Sequence, residues 1–183
     1  MRKSIHFLIG ISPALAAFNF PATVAFLVTG ILCYVRMESL RVMGIRIPLV
    51  SSLTDMASRP RDRGHFVLGP VTLGMGALLA LVMYPSLAAV IAIYALAFGD
   101  GFASLAGRLM GRIRPAFLRG KSLEGSLACF SAVLISAYGV SRDYRIALTA
   151  AITATVTEAL PLKDYDNLVL PLVVGLVVSI ALL

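Results

Sequence analysis

The sequence predicts an all-α integral membrane protein with one transmembrane domain over residues 1–183. Hydrophobic residues make up 59% of the chain and charged residues 14%, whereas a soluble domain is about half apolar and about a quarter charged. Mean hydropathy is +0.92. A chain of 183 residues has no core large enough for this excess, so we expect a lipid bilayer around it. Long apolar runs favour helices over a closed barrel, in which apolar and polar residues alternate.

The uncharged runs predict about seven transmembrane helices. Residues 7–35 and residues 66–99 carry no charge, and each run is longer than one helix needs to cross about 30 Å of hydrocarbon. Helix-breaking residues divide both runs, namely Pro13, Asn19 and Pro21 in the first and Pro85 in the second. The predicted helices lie near residues 5–19, 21–36, 66–84, 87–109, 125–140, 144–162 and 167–183.

The basic residues predict a cytoplasmic amino terminus. With that orientation, fourteen of the sixteen Lys and Arg residues fall on cytoplasmic segments, and only Arg142 and Arg145 fall outside, as the positive-inside rule expects. The net charge of +7 therefore marks topology and phosphate contacts, and we expect no nucleic-acid partner because aromatic residues are not interleaved with the basic ones. The longest loop, residues 38–64, fits an amphipathic interfacial helix and a solvated loop equally well.

Asp100 is the first candidate functional residue. An ionisable group near the centre of a membrane helix costs about 2.5–3.5 kcal/mol on insertion scales, so its presence indicates function. Asp100, Ser104 and Arg108 recur every four residues and share one helical face. Small residues recur at the same spacing: Gly99, Ala103, Gly107 and Gly111. With Gly101 on its other side, the acid fits either a broken helix beside a metal-bound phosphate or a packing strip with an Asp–Arg salt bridge.

A polar loop supplies the second group of candidates. It begins with the basic stretch from Arg112 to Gly120 and ends with the residues Lys121, Ser122, Glu124, Gly125 and Ser126. Basic groups and free backbone amides bind phosphates, and an adjacent carboxylate can hold magnesium. A solvated basic loop that only sets topology is the alternative.

Further polar residues lie at two other helix ends. Glu158 lies about one turn inside the membrane, and Asp166 and Asn167 open the last helix, where Asp166 could instead be the N-cap. Carboxylates that converge on cations from different helices suit a metal–nucleotide site. At the amino terminus, Arg2 and Lys3 either set topology or contact phosphate, and His6 either snorkels to the interface or contacts phosphate.

These motifs, in this order, resemble those of the CTP-dependent lipid kinases, the group of dolichol kinase, phytol kinase and yeast-type diacylglycerol kinase. The resemblance covers nearly the whole chain. The matching segments are Arg2-Lys3-x-x-His6 with Gly10, Gly99-Asp100-Gly101-Phe102-Ala103 with Gly107-Arg108, Lys121-Ser122-Leu123-Glu124-Gly125-Ser126, Glu158-x-x-Pro161, and Asp166-Asn167-Leu168 with Pro171-Leu172. The middle block resembles, more distantly, the phosphatidate cytidylyltransferases.

The resemblance implies a kinase for a polyprenol, dolichol or phytol type of alcohol that uses CTP and a divalent cation such as Mg²⁺ and releases CDP. Diacylglycerol kinase and phosphatidate cytidylyltransferase are the alternatives within lipid metabolism. An ion-coupled transporter with carboxylate relay groups is the alternative from another class. The expected partners are CTP, the lipid alcohol and the bilayer, and a homodimer is left open. The site is expected on the cytoplasmic face of the inner cell membrane.

Under this hypothesis each candidate residue has a role. The catalytic residues are Asp100, Glu158, Asp166 and Lys121. The metal ligands are Asp100, Glu124 and Asp166. The nucleotide and its phosphates contact Arg2, Lys3, His6, Gly99, Gly101, Ser104, Gly107, Arg108, Lys121, Ser122, Gly125, Ser126 and Asn167. Either Glu158 or Asp166 accepts the proton of the lipid hydroxyl.

Overall fold

The structure, a computed structural model, describes residues 2–45, 65–118, 120–162 and 164–183, with the side chains at positions 2–4 and 117 outside the described part. Every regular element in these ranges is a helix. The predicted all-α class is therefore confirmed.

Nine α-helices lie in the described ranges. They are α1 (Arg2–Ile9), α2 (Ser12–Phe18), α3 (Phe20–Val42), α4 (Gly69–Met83), α5 (Ser86–Tyr94), α6 (Gly101–Leu109), α7 (Leu123–Ser141), α8 (Tyr144–Ala159) and α9 (Asp166–Ala181). A π-helical segment, Ala95–Asp100, joins α5 to α6, and a short 3₁₀ turn, Ala116–Leu118, precedes α7.

These elements group into seven helical units when α1 is taken with α2, and α5 with the π-helical segment and α6. Each unit corresponds to one predicted helix, although several boundaries differ from the predicted ones. Three of them, Phe20–Val42, Ser86–Leu109 and Leu123–Ser141, are long and apolar enough to cross a membrane. The number of units that span the bilayer and the orientation of the amino terminus stay predictions.

The first apolar run is divided as its sequence predicts, with one additional break. Asn19 has an extended backbone (φ −153°, ψ 96°), and its side chain accepts a hydrogen bond from the Ala22 amide at 3.0 Å, so it caps α3. The predicted helix 5–19 is interrupted at Gly10, where an added Cβ would lie 3.2 Å from the Ala97 Cβ. Pro13 lies in the first turn of α2, where proline is tolerated.

Helix α3 continues beyond its predicted end at residue 36, because a buried carboxylate at Glu38 organises the turn that follows. Arg41 donates to both Glu38 oxygens at 2.7 Å and to the His65 carbonyl at 2.8 Å. The Val67 amide also donates to Glu38, at 2.8 Å, and the Tyr34 hydroxyl donates to the Val67 carbonyl at 3.0 Å. This network ties α3 to the start of α4. Residues 46–64, the rest of the predicted loop, lie outside the described residues.

Helices α7, α8 and α9, together with α5 and the π-helical segment, form the core. Alanines allow α8 to pack closely, since Ala147, Ala150, Ala151 and Ala154 are fully buried. Large apolar side chains instead face outward on the periphery; Phe18 is 93% exposed and Ile135 is 72% exposed. This distribution suits a bundle whose outer surface contacts lipid. The close packing places the ends of α6, α7, α8 and α9 around one cavity.

Candidate functional site

One cavity of about 230 Å³ lies where the ends of four helices and the preceding loop meet. Its lining residues are Asp100, Ala103, Ser104, Gly107, Arg108, Arg114, Gly120, Lys121, Ser122, Gly125, Glu158 and Asp166. All of these except Ala103, Arg114 and Gly120 are among the residues predicted above. Most of the candidates named from the sequence therefore converge, although they come from distant parts of the chain.

The π-helical segment determines how Asp100 reaches the cavity. It ends at Asp100, and α6 begins at the next residue without a gap. One face of this continuous helix then lines the cavity with Asp100, Ser104 and Arg108. The helix is therefore continuous through Asp100, and it contains a widened turn where one interpretation predicted a break. Such turns are frequent at functional sites.

The strip of small residues packs α6 against the start of α7. A Cβ added at Gly99 would lie 2.8 Å from Val133 Cγ2. One added at Gly107 would lie 3.1 Å from Ser122 Oγ, and one added at Gly111 would lie 2.7 Å from the same oxygen. The strip of small residues therefore allows a close approach of helices. Its effect is to hold the face that carries Asp100, Ser104 and Arg108 beside α7.

Arg114 holds the loop between α6 and α7 in place. Its guanidinium donates to the Gly120 carbonyl at 2.6 Å and to the Gly107 carbonyl at 2.8 Å. Gly120 has φ +96°, a conformation that favours glycine. This turn directs Lys121 into the cavity. The sequence marks the loop as basic but does not indicate which arginine turns inward, so Arg114 is absent from the predicted site.

Glu124 does not line the cavity, and its role as a metal ligand stays a prediction. Its carboxylate accepts hydrogen bonds from the amides of Arg112 at 2.9 Å and Ile113 at 3.1 Å. The side chain therefore braces the loop. Ser126, a predicted phosphate contact, also lies outside the lining, and its buried hydroxyl has no hydrogen-bond partner among the described residues.

Two close contacts between ionisable side chains lie at the cavity. Lys121 Nζ is 3.0 Å from Glu158 Oε1, and the Glu158 side chain is only 9% exposed. The second contact joins His6 Nδ1 and Asp100 Oδ2 at 3.1 Å. The structure thus brings His6 of α1 to the site through Asp100, although His6 is not itself a lining residue.

Asp166 and Asn167 separate at the start of α9. Asp166 lines the cavity, and its Oδ1 accepts from the Asn167 amide at 3.0 Å. The Asn167 side chain turns away and donates to the Gly69 carbonyl and to Thr72 Oγ1, each at 3.2 Å. The amide group of Asn167 thus joins α9 to α4, and its contact with phosphate stays a prediction.

Gly99 and Gly101 also serve packing and do not line the cavity. A Cβ added at Gly101 would lie 3.0 Å from the Phe7 ring, so this glycine lets α1 approach α6. The side chains of Arg2 and Lys3 lie outside the described part of the chain, and their predicted phosphate contacts stay predictions.

The cavity can supply part of a metal site. Within the ranges the structure describes, no group of three or more His, Cys, Asp or Glu residues is arranged to hold a metal ion. Magnesium in nucleotide sites is usually held by one or two carboxylates together with phosphate oxygens. Asp100 and Asp166, on the walls of one cavity that also carries cations, fit that smaller donor set.

Comparison with known proteins indicates which proteins this chain is similar to. The chain is 27% identical over 203 residues to a protein of Triticum aestivum named "Probable phytol kinase, chloroplastic", a match that covers 96% of this chain and 65% of that protein. It is also 27% identical to "Probable phytol kinase 3, chloroplastic" of Glycine max, over 99% of this chain and 62% of that protein. It is 28% identical to "Probable phytol kinase, chloroplastic" of Zea mays, over 96% of this chain and 64% of that protein. The resemblance to phytol kinases is confirmed.

The similarity to phytol kinases extends across every segment that lines the cavity, because it covers nearly all of this chain. The chain itself spans just under two thirds of the length of these relatives. No family model matches the chain, and no solved structure matches it.

Proposed function

We propose that this protein is a membrane-embedded kinase that transfers the terminal phosphoryl group of a nucleoside triphosphate to the hydroxyl group of a lipid alcohol. The single supporting observation is the cavity in which three cations, Arg108, Arg114 and Lys121, lie together with three carboxylates, Asp100, Glu158 and Asp166. The relatives named phytol kinases favour an isoprenoid alcohol as acceptor, and the motif resemblance favours CTP as donor and CDP as product.

The chemistry of the cavity suits phosphoryl transfer. The transition state of that reaction depends mainly on positioning and on neutralising negative charge at the phosphate oxygens. Arginine and lysine side chains make strong, charge-assisted hydrogen bonds to phosphate. Arg114 is already fixed by two backbone carbonyls, so it can present its remaining donors without reorganisation. A magnesium ion held by Asp100 and Asp166 would add further positive charge beside the phosphates.

The position of the cavity supports an active site at the cytoplasmic boundary of the membrane. Helix α7 has 19 residues and begins at the cavity, so its other end is about 28 Å away. That distance is about the hydrocarbon thickness of a bilayer. Arg142 and Arg145 follow the far end of α7, whereas the cations of the cavity lie at the near end. This separation is the one that the positive-inside rule requires.

The test is product analysis with purified protein in liposomes. CTP, ATP, GTP and UTP are each supplied with magnesium and with polyprenols, phytol, farnesol or diacylglycerol. We expect an isoprenoid monophosphate and CDP in equal amounts. Release of pyrophosphate would indicate a cytidylyltransferase, and phosphorylation of diacylglycerol alone would move the protein to that acceptor class. Absence of transfer to every alcohol from every triphosphate would refute the proposal.

A further inference from the structure

The two carboxylate oxygens of Glu158 have different environments. Oε1 lies 3.0 Å from Lys121 Nζ. Oε2 is buried and has no hydrogen-bond partner among the residues that the structure describes. A buried acceptor left without a partner is unfavourable, and more so when the group is charged. Because Glu158 lines the cavity, a ligand in the cavity can supply the missing donor.

The other two carboxylates of the cavity are engaged by the protein. Asp166 Oδ1 accepts the Asn167 amide at 3.0 Å, and Asp100 Oδ2 lies 3.1 Å from His6 Nδ1. Glu158 differs from both because one of its oxygens is enclosed without a described donor. A hydroxyl group is the neutral donor that an enclosed carboxylate oxygen next to a lysine can accommodate.

We infer that Glu158 Oε2 binds the hydroxyl group of the acceptor alcohol and takes its proton during transfer. This inference rests on the proposed function and assigns the proton acceptor that the sequence leaves open between Glu158 and Asp166. The alcohol oxygen forms a bond to the terminal phosphorus. The bond from that phosphorus to the bridging oxygen breaks, and its electron pair stays on the departing nucleoside diphosphate. The hydroxyl proton passes to Glu158 Oε2.

The surroundings of Glu158 suit a hydroxyl group that is held by the protein. Glu158 is the penultimate residue of α8, and its neighbour Thr157 and the alanine one turn before it, Ala154, are buried. Lys121 fixes the orientation of the carboxylate through Oε1 and, like Glu158, lines the cavity in which the phosphates are proposed to bind.

The decisive variant is Glu158→Gln, which keeps the shape of the side chain but cannot take a proton. We expect kcat for the lipid alcohol to fall by about 10²- to 10⁴-fold, the usual contribution of a general base, while KM for CTP stays the same. Asp166→Asn should mainly raise KM for the magnesium–nucleotide complex. A wild-type enzyme that phosphorylates an alcohol while Glu158→Gln keeps its full kcat would overturn this inference alone. A wild-type enzyme without any kinase activity would overturn the proposed function.

A second readout separates proton transfer from a structural effect. An acceptor with fluorine beside the carbinol carbon has a more acidic hydroxyl and needs less help from a base. We expect the ratio of kcat for the fluorinated acceptor to kcat for the parent alcohol to be at least about tenfold higher in Glu158→Gln than in the wild type. A structural effect would lower kcat for both acceptors equally, and an unchanged ratio would therefore count against the assignment. If Glu158→Gln does not fold, Glu158→Asp takes its place. A Glu158→Asp variant with wild-type thermal stability and full kcat would overturn the inference, whereas wild-type stability with a lowered kcat would support it.

Discussion

Replacement of Gly125 by alanine tests the contact that holds the two walls of the cavity together. A Cβ at this position would lie 2.8 Å from the Ala103 carbonyl oxygen and 3.2 Å from Ser122 Oγ. The first neighbour is backbone and cannot rotate away, so α6 and α7 must separate. Overpacking of this kind costs about 1–3 kcal/mol.

The matched control is Gly139→Ala on the same helix, because nothing lies within 4 Å of a Cβ added there. Both substitutions gain the helix propensity of alanine, about 0.5–1 kcal/mol. The difference between the two variants therefore isolates the steric cost, about 1–3 kcal/mol in favour of Gly139→Ala. Unfolding of each variant in mixed detergent micelles, followed by circular dichroism, measures this difference. Kinase activity should fall with Gly125→Ala alone, and equal stability of the two variants would refute the packing described here.

Three further substitutions test separate parts of the structure. Asp100→Asn should abolish kinase activity in a protein that still inserts and folds, whereas Asp143→Asn, an equivalent change at the opposite end of the bundle, should keep it; equal activities would contradict the site. Arg114→Lys should raise KM for the nucleotide, because lysine cannot reproduce the two-carbonyl fork, and an unchanged KM would exclude that role. Glu38→Gln should lower the free energy of unfolding by about 1–3 kcal/mol, since it weakens the buried contact with Arg41. KM for CTP should not change. A chemical denaturation series measures the effect, and unaltered stability would show that the contact contributes nothing.

The sequence predicts the helical units well because their signals are local. Uncharged runs, and the asparagine and prolines that divide them, act within a few residues of the chain, so the division at Asn19 and Pro21 follows directly. Ionisable residues at membrane depth are costly, which is why Asp100 and Glu158 stand out without any structural information. Their convergence in one cavity supports that reasoning.

The sequence does not identify the hydrogen-bond partners of several polar side chains, because those partners are distant in the chain or because more than one kind of partner is available. Glu38 pairs with an amide 29 residues away, and Asn167 pairs with a carbonyl 98 residues away. Composition and spacing carry no information about such pairs. Glu124 has the chemistry of a metal ligand, but its carboxylate accepts hydrogen bonds from two amides of the preceding loop. The widened turn before Asp100 leaves no periodic signal, because an additional residue in one turn alters the phase of the helix without altering its composition.

That phase change separates two parts of one helical unit, α5 and α6, which have different surroundings. A π turn contains about one residue more than an α turn, so it rotates all later side chains by about 100° relative to the earlier ones. Before it, α5 is enclosed by other helices and Ile91 is fully buried; after it, Phe102 and Leu105 of α6 are more than 40% exposed. Asp100 thus enters the polar cavity at the point where the enclosed part of this helical unit meets its more exposed part.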